Sequence, residues 1–147
     1  MRTFRSFQEF NQELQSIPSK LNSILLSLGN KAIALIRTRT TSGYGVESNG
    51  KTQKFAPLAQ STQKKKGKTE SNLTDTGRML GDMKASVRNQ SCIVSFKSFA
   101  QLKKAEYHMS GTSTMPSRPF FLLSVKDLEA VSSLLESQLD EFIRNRF

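Results

Sequence analysis

The chain has 147 residues, with 22 lysines and arginines against 12 aspartates and glutamates, for a formal net charge of +10. That length suits one domain with its own core, and a second independent domain is not expected. One cysteine and one histidine exclude an internal disulfide and the three or four nitrogen and sulfur ligands that zinc takes. Hydrophobic residues make up 36% and there is no tryptophan, a lean composition that suits a subunit completing its burial against neighbours.

Ser6 and Glu9 have capping-box spacing and open a short helix over about Phe7 to Ser16. Pro18 then starts a second helix, since a proline fits the first turn. Leu21, Ile24, Leu25, Leu28, Ala32, Leu35 and Ile36 follow at spacings of three and four as one apolar stripe. Gly29 interrupts that stripe at a local cost of about 1 kcal/mol relative to alanine, either to permit close packing or for no reason.

From Thr40 to Ser71 periodicity vanishes among Gly, Ser, Thr, Lys and Gln, around the apolar group Phe55-Ala56-Pro57-Leu58. Loops this long inside a domain are functional or disordered. A projecting arm over residues 40–71 is expected, anchored by Phe55 and Leu58, with Lys64, Lys65, Lys66 and Lys68 at a mobile tip.

Thr74 to Met83 reads as a short helix with Met79, Leu80 and Met83 inward. Alternation in Ala85-Val87 and Cys92-Val94-Phe96 across an Asn89-Gln90-Ser91 turn fits two antiparallel strands, and shared parity with Val94 and Phe96 places Cys92 in the core. Ser98 with Gln101 caps a further helix, with Leu102, Ala105 and Met109 inward and Gly111 as its terminator. Phe120 to Leu123 reads as a short strand or tight turn. Ser124 with Asp127 caps the last helix, whose stripe is Leu128, Val131, Leu135, Leu139, Phe142 and Ile143. The fold class is α+β: a small, mainly antiparallel sheet flanked by two long amphipathic helices, with a long basic loop.

Charge is unevenly placed. Between Arg37 and Lys68 there are eight basic residues against Glu47 alone, whereas from Lys126 to the end five acids outnumber three bases. The basic loop admits three readings: a solvated lysine run, docking on an acidic neighbouring subunit, or contact with DNA. Tyr44 and Phe55 do not interleave with the lysines, as aromatics do in single-strand binders. Arg118, framed by Pro116 and Pro119, either presents a bidentate fork to a carboxylate across a subunit boundary or caps the carbonyls of the helix before it. His108 lacks a triad, because Glu106 two residues away does not face it on a helix; it serves the following loop or a subunit contact. Gly43-Tyr44-Gly45 lacks the helix and lysine of a phosphate loop. The acids of the last helix read as a solvated face. No stretch approaches the roughly 20 apolar residues that span a bilayer, and the polar Met1 to Glu13 lacks a signal-peptide core. A cytoplasmic protein is expected.

Three runs carry a resemblance: KFAPLAQST (Lys54 to Thr62), NLTDTGRM (Asn72 to Met79) and AEYHMSGTSTMPSRPFF (Ala105 to Phe121). Together they resemble the phage virion morphogenesis family, the tail-completion and head-tail joining proteins typified by phage Mu. The matching positions are Phe55, Pro57, Leu58, Thr62, Leu73, Thr76, Gly77, Ala105, His108, Gly111, Pro116, Arg118, Pro119 and Phe120. Ser117 and Phe121 depart from the pattern, standing where a small apolar residue and a leucine are usual. The resemblance implies a structural virion protein without catalytic or cofactor chemistry, assembled as a hexameric ring at the upper end of the tail or the head-tail junction. Its partners would be neck or connector and tail-tube proteins, with contact to packaged DNA possible, in the host cytoplasm and then the virion. The alternative is a small basic nucleic-acid-binding protein.

Overall fold

The computed structural model describes residues 5–146. Its elements are α1 (Phe7–Thr41), β1 (Tyr44–Val46), β2 (Thr52–Lys54), α2 (Gln60–Lys66), α3 (Arg78–Gly81), β3 (Met83–Arg88), β4 (Ser91–Phe96), α4 (Phe99–Ser110) and α5 (Val125–Arg144). The class is α+β, with α1 and α5 as the long helices. The strands form two separate antiparallel pairs, β1 with β2 and β3 with β4, instead of one sheet. Among the described residues no helix is long and apolar enough to cross a membrane.

The expected break before Pro18 is absent, and α1 runs through it. The Ser6 hydroxyl accepts the Glu9 N–H at 3.1 Å and starts the helix as its spacing requires. An interior proline costs roughly 3 kcal/mol, but α5 docks along both sides of it. Arg146 donates to the Glu13 carbonyl at 3.2 Å and to the Ser16 hydroxyl at 2.7 Å, and Gln138 donates to Ser27 at 2.8 Å. Arg146 also pairs with the Glu13 carboxylate at 3.1 Å and lies 4.4 Å from the Phe142 ring centre. Tertiary contacts thereby offset the local penalty. The C-terminal half of α1 supplies Ile33 and Ile36 to a core completed by Phe55, Met79, Leu80, Met83, Phe96, Ala105 and Phe120.

Residues 40–71 are not a bare arm. They hold the β1–β2 hairpin and α2, and Phe55 is buried in the core as the expected anchor. Leu58 is half-buried, with its N–H on the Thr69 carbonyl at 2.9 Å. Lys64, Lys65 and Lys66 form the last turn of α2, which Gly67 ends in the left-handed conformation (φ 64°) and which buries no residue.

The β3–β4 hairpin keeps the expected alternation and pairs Met83 with Phe96 through Arg88 with Ser91. Its turn is Asn89-Gln90, both at positive φ (49° and 58°), the twist that two-residue hairpins favour; Ser91 belongs to the strand. The helix expected from Thr74 to Met83 shrinks to α3, because Gly77 (φ 71°) precedes its first turn and Met83 already pairs in β3. Met79, Leu80 and Met83 are buried nonetheless.

In α4 the Ser98 cap and the Gly111 terminator (φ 73°) stand as expected. Leu102, expected inward, is exposed, and Ala105 is the residue that packs. The Ser124–Asp127 capping box opens α5. Its inner face is rotated from the expected stripe: Leu128 and Ile143 are exposed, while Val131, Leu134, Leu135, Leu139 and Phe142 are half-buried. Phe120 to Leu123 forms no strand. Arg39 donates to the Phe120 carbonyl at 2.8 Å and to the Leu122 carbonyl, supplying what a ladder otherwise would.

Candidate functional site

Two of the three resembling runs, Lys54 to Thr62 and Ala105 to Phe121, meet at the turn that follows α4. Gly111 must be glycine there. Its φ is positive, and a Cβ would stand 2.8 Å from the Ser117 N–H nitrogen. The chain then closes a bridge from the Thr112 N–H to the Met115 carbonyl at 2.8 Å and turns back along α4. Pro116 and Pro119 fix φ on either side of Arg118. The Arg118 N–H donates to the His108 carbonyl at 2.6 Å, and the Ser117 hydroxyl donates to the Met109 carbonyl at 2.6 Å. The backbone of this segment therefore caps the end of α4.

The Arg118 side chain does something else. It is only 4% exposed, and its Nε and Nη2 donate to the carbonyls of Ala56 and Pro57 at 3.1 and 2.9 Å. The helix-capping reading fails for the side chain, and within the chain the carboxylate reading finds no partner. The fork meets no carboxylate among the described ion pairs and does not reach α4. It pins the Phe55–Leu58 run, two residues of which are the arm's anchors. Burial lowers its pKa from the ordinary arginine value; arginine is still charged at neutral pH.

Pro119 and Phe120 complete the junction. The Pro119 carbonyl accepts the Val46 N–H at 2.8 Å, and a Cβ on Gly45 would come within 2.5 Å of that oxygen, so β1 lies directly on the loop. Phe120 is fully buried, and Phe121 stacks at 5.0 Å from Phe96.

Sequence reasoning missed the buried carboxylate pair, which belongs to Arg39 through its Nη1. Its guanidinium bonds Asp127 in the interior while Asp127 also accepts the Ser124 N–H at 2.9 Å. The pair ties the end of α1 to the start of α5 through residues 88 apart in sequence. The capping-box spacing of Ser124 and Asp127 was the available signal, but nothing local names Arg39 as the partner. Burial lowers the Arg39 pKa, and Asp127 opposes that shift.

His108 sits on α4 with its ring half-buried and its Nδ1 enclosed without a hydrogen-bond partner. Burial first, then the positive charges of Arg118 and Lys104, hold its pKa below the usual 6.5. It lines a pocket of about 90 Å³ with Leu58, Lys66, Lys68, Asp75 and Lys104. Lys66 pairs with Asp75 at 2.5 Å, and Lys68 donates to the Asn72 side chain at 3.3 Å. Lys64 and Lys65 are exposed on α2 without partners. The eight basic residues between Arg37 and Lys68 are thus less available than their number suggests. Arg37 is bonded to the carbonyls of Leu80, Gly81 and Met83, Arg39 to Asp127, Lys54 to Glu70 and Lys66 to Asp75.

Among the described residues no group of three or more His, Cys, Asp and Glu is placed to hold a metal. Comparison of the chain with family models, curated proteins and solved structures gives no match.

Proposed function

We propose that this chain is a structural subunit of a tailed-phage virion, without an enzymatic role, which assembles as a hexameric ring to complete the tail or join it to the head. One observation carries the reading. Segments of the three runs on which the family resemblance rests come together: Arg118 lies on the carbonyls at 56 and 57 with its N–H on the His108 carbonyl, and Leu58, Leu73 and His108 line one pocket.

Leu21 and Leu26 of α1, with Leu128 and Ile143 of α5, are between 39% and 53% exposed, apolar surface that neighbouring subunits would cover in the assembly. Neighbours in the virion would be neck or connector proteins above and tail-tube proteins below.

The nucleic-acid reading is weaker, since half of the basic stretch is already bonded within the chain. Cryo-electron microscopy of purified virions tests the proposal: this chain should trace as a closed ring at the neck, six copies of a 16.5 kDa subunit. Particles that contain no such chain would overturn it.

A further inference from the structure

The unpaired acids of this chain lie on one element. Every carboxylate among the described residues has a hydrogen-bond or ion-pair partner except Glu129, Glu136, Asp140 and Glu141, all exposed on α5. Glu129, Glu136 and Asp140 stand seven and four residues apart, so they share one stripe, about 16 Å long at 1.5 Å per residue. These carboxylates are exposed on α5, which packs on α1, and Lys126 and Arg144, three residues before Glu129 and four after Asp140 on the same helix, form no ion pair with them.

The opposite chemistry gathers in the pocket beside His108. Lys66 from α2, Lys68 from the loop after it and Lys104 from α4 line a space of about 90 Å³, the volume of some three water molecules. The Asp75 carboxyl is held below its ordinary pKa by its bond to Lys66 and that ammonium's charge, then by Lys104 and Lys68; three cations therefore act on one spot and one acid answers them. Lys104 has no partner of its own, and the His108 Nδ1 is enclosed without one. A space of this size admits the tip of a carboxylate side chain.

We infer that the Lys66–Lys68–Lys104–His108 pocket is a carboxylate socket, filled in the assembled protein by an acid from the α5 stripe of a second copy. The inference rests on the ring reading and supplies its contact. Socket and stripe are different surfaces, so their union is head-to-tail, the kind of interface that closes into rings. Charge complementarity selects the occupant, because one chain carries both an unfilled basic pocket and an unpaired acidic face.

Reversed charges test it. Sedimentation velocity of the full chain should show concentration-dependent assembly that weakens with salt. Lys66→Glu with Lys104→Glu on one chain, and Glu136→Lys with Asp140→Lys on another, should each raise the assembly midpoint at least tenfold while melting curves stay near wild type. A 1:1 mixture of the two should recover assembly, since each then offers what the other's reversed face needs. Should a reversed variant fold poorly, Lys104→Gln and Asp140→Asn should raise the midpoint several-fold without that complication. His108 is the sole histidine, so its imidazole NMR signal is unambiguous and should move on assembly in the wild type and in the mixture. Assembly that persists in both reversed variants, or is lost without recovery in the mixture, overturns the socket. So does a wild-type chain that stays monomeric at millimolar concentration. The virion image decides the ring reading separately.

Discussion

Gly29 of α1 faces Cys92 of β4 with no space between them: a Cβ at position 29 would overlap the Cys92 Sγ and stand 2.7 Å from the Ala85 Cβ. The glycine that weakens the helix is what lets the β3–β4 hairpin lie on it. Local propensity and tertiary packing therefore make opposite predictions at one residue.

Propensity alone says that Gly29→Ala stabilises the protein by about 1 kcal/mol. Packing says that inserting a methyl against a strand costs about 1–3 kcal/mol. We expect the second to win, with a net loss visible as a Tm lowered by several degrees. Adding Cys92→Ala to Gly29→Ala should recover part of it, because the larger atom has gone. A Gly29→Ala protein with a raised Tm would show that the hairpin yields at little cost.

Arg39 and Asp127 should be strongly coupled. Removing one partner of a buried pair leaves a charge without its counter-ion and costs about 3–5 kcal/mol. Arg39→Met also strips two carbonyls, at Phe120 and Leu122, of their donor. Asp127→Asn should be milder, since its side-chain oxygen can still accept the Ser124 N–H and complete the α5 cap. Urea unfolding of both single variants and the double variant gives the cycle. Losses that simply add would mean that the pair contributes nothing as a pair.

What was legible in the sequence is what is held by neighbours in the chain. The caps at Ser6, Ser98 and Ser124 each join residues three apart, and the β3–β4 alternation repeats every second residue, so local reading found them. The continuity of α1 through Pro18 was not, because Arg146 and Gln138 arrive from the far end of the chain. The β1–β2 hairpin escaped for a different reason: its strands have three residues each, β2 is exposed throughout and β1 buries only Gly45 and Val46, which leaves almost no hydrophobic alternation to read. In α5 most of the expected stripe packs, but Leu128 and Ile143 at its two ends are exposed and Leu134 is half-buried in their stead, a rotation that depends on what α5 meets and not on its own spacing. At the junction, the proline frame of Arg118 was visible while its targets, 61 and 62 residues away, were not.

Those targets decide where Arg118 variants fail. Hydrogen bonds from a charged donor contribute about 1.5–3 kcal/mol each, and Arg118→Ala would leave the Ala56 and Pro57 carbonyls without them. Thermal unfolding of the isolated chain should fall clearly for Arg118→Ala. Arg118→Lys should lie between alanine and wild type, since a point charge can serve one carbonyl but not the planar pair. A wild-type melting curve for Arg118→Ala would mean that the arginine does not hold the Phe55–Leu58 run.

The last prediction concerns pH. His108 has a folded pKa below its ordinary 6.5, through burial first and then through Arg118 and Lys104. The unfolded chain therefore binds its proton at a higher pH than the folded one. Stability depends on the difference in bound protons, so the contribution of neutral His108 is complete above about pH 6.5 and is lost as pH falls through the folded pKa. The NMR titration of the single histidine should have its midpoint below 6.5, and the Tm should drop between pH 7 and pH 5 by more in the wild type than in His108→Gln, which cannot take the proton. Lys104→Gln should move the midpoint upward by removing one repelling charge. A midpoint at or above 6.5 in the wild type would mean that the ring is better solvated than its enclosed Nδ1 implies, and an unchanged midpoint in Lys104→Gln would remove that lysine from the field around the pocket.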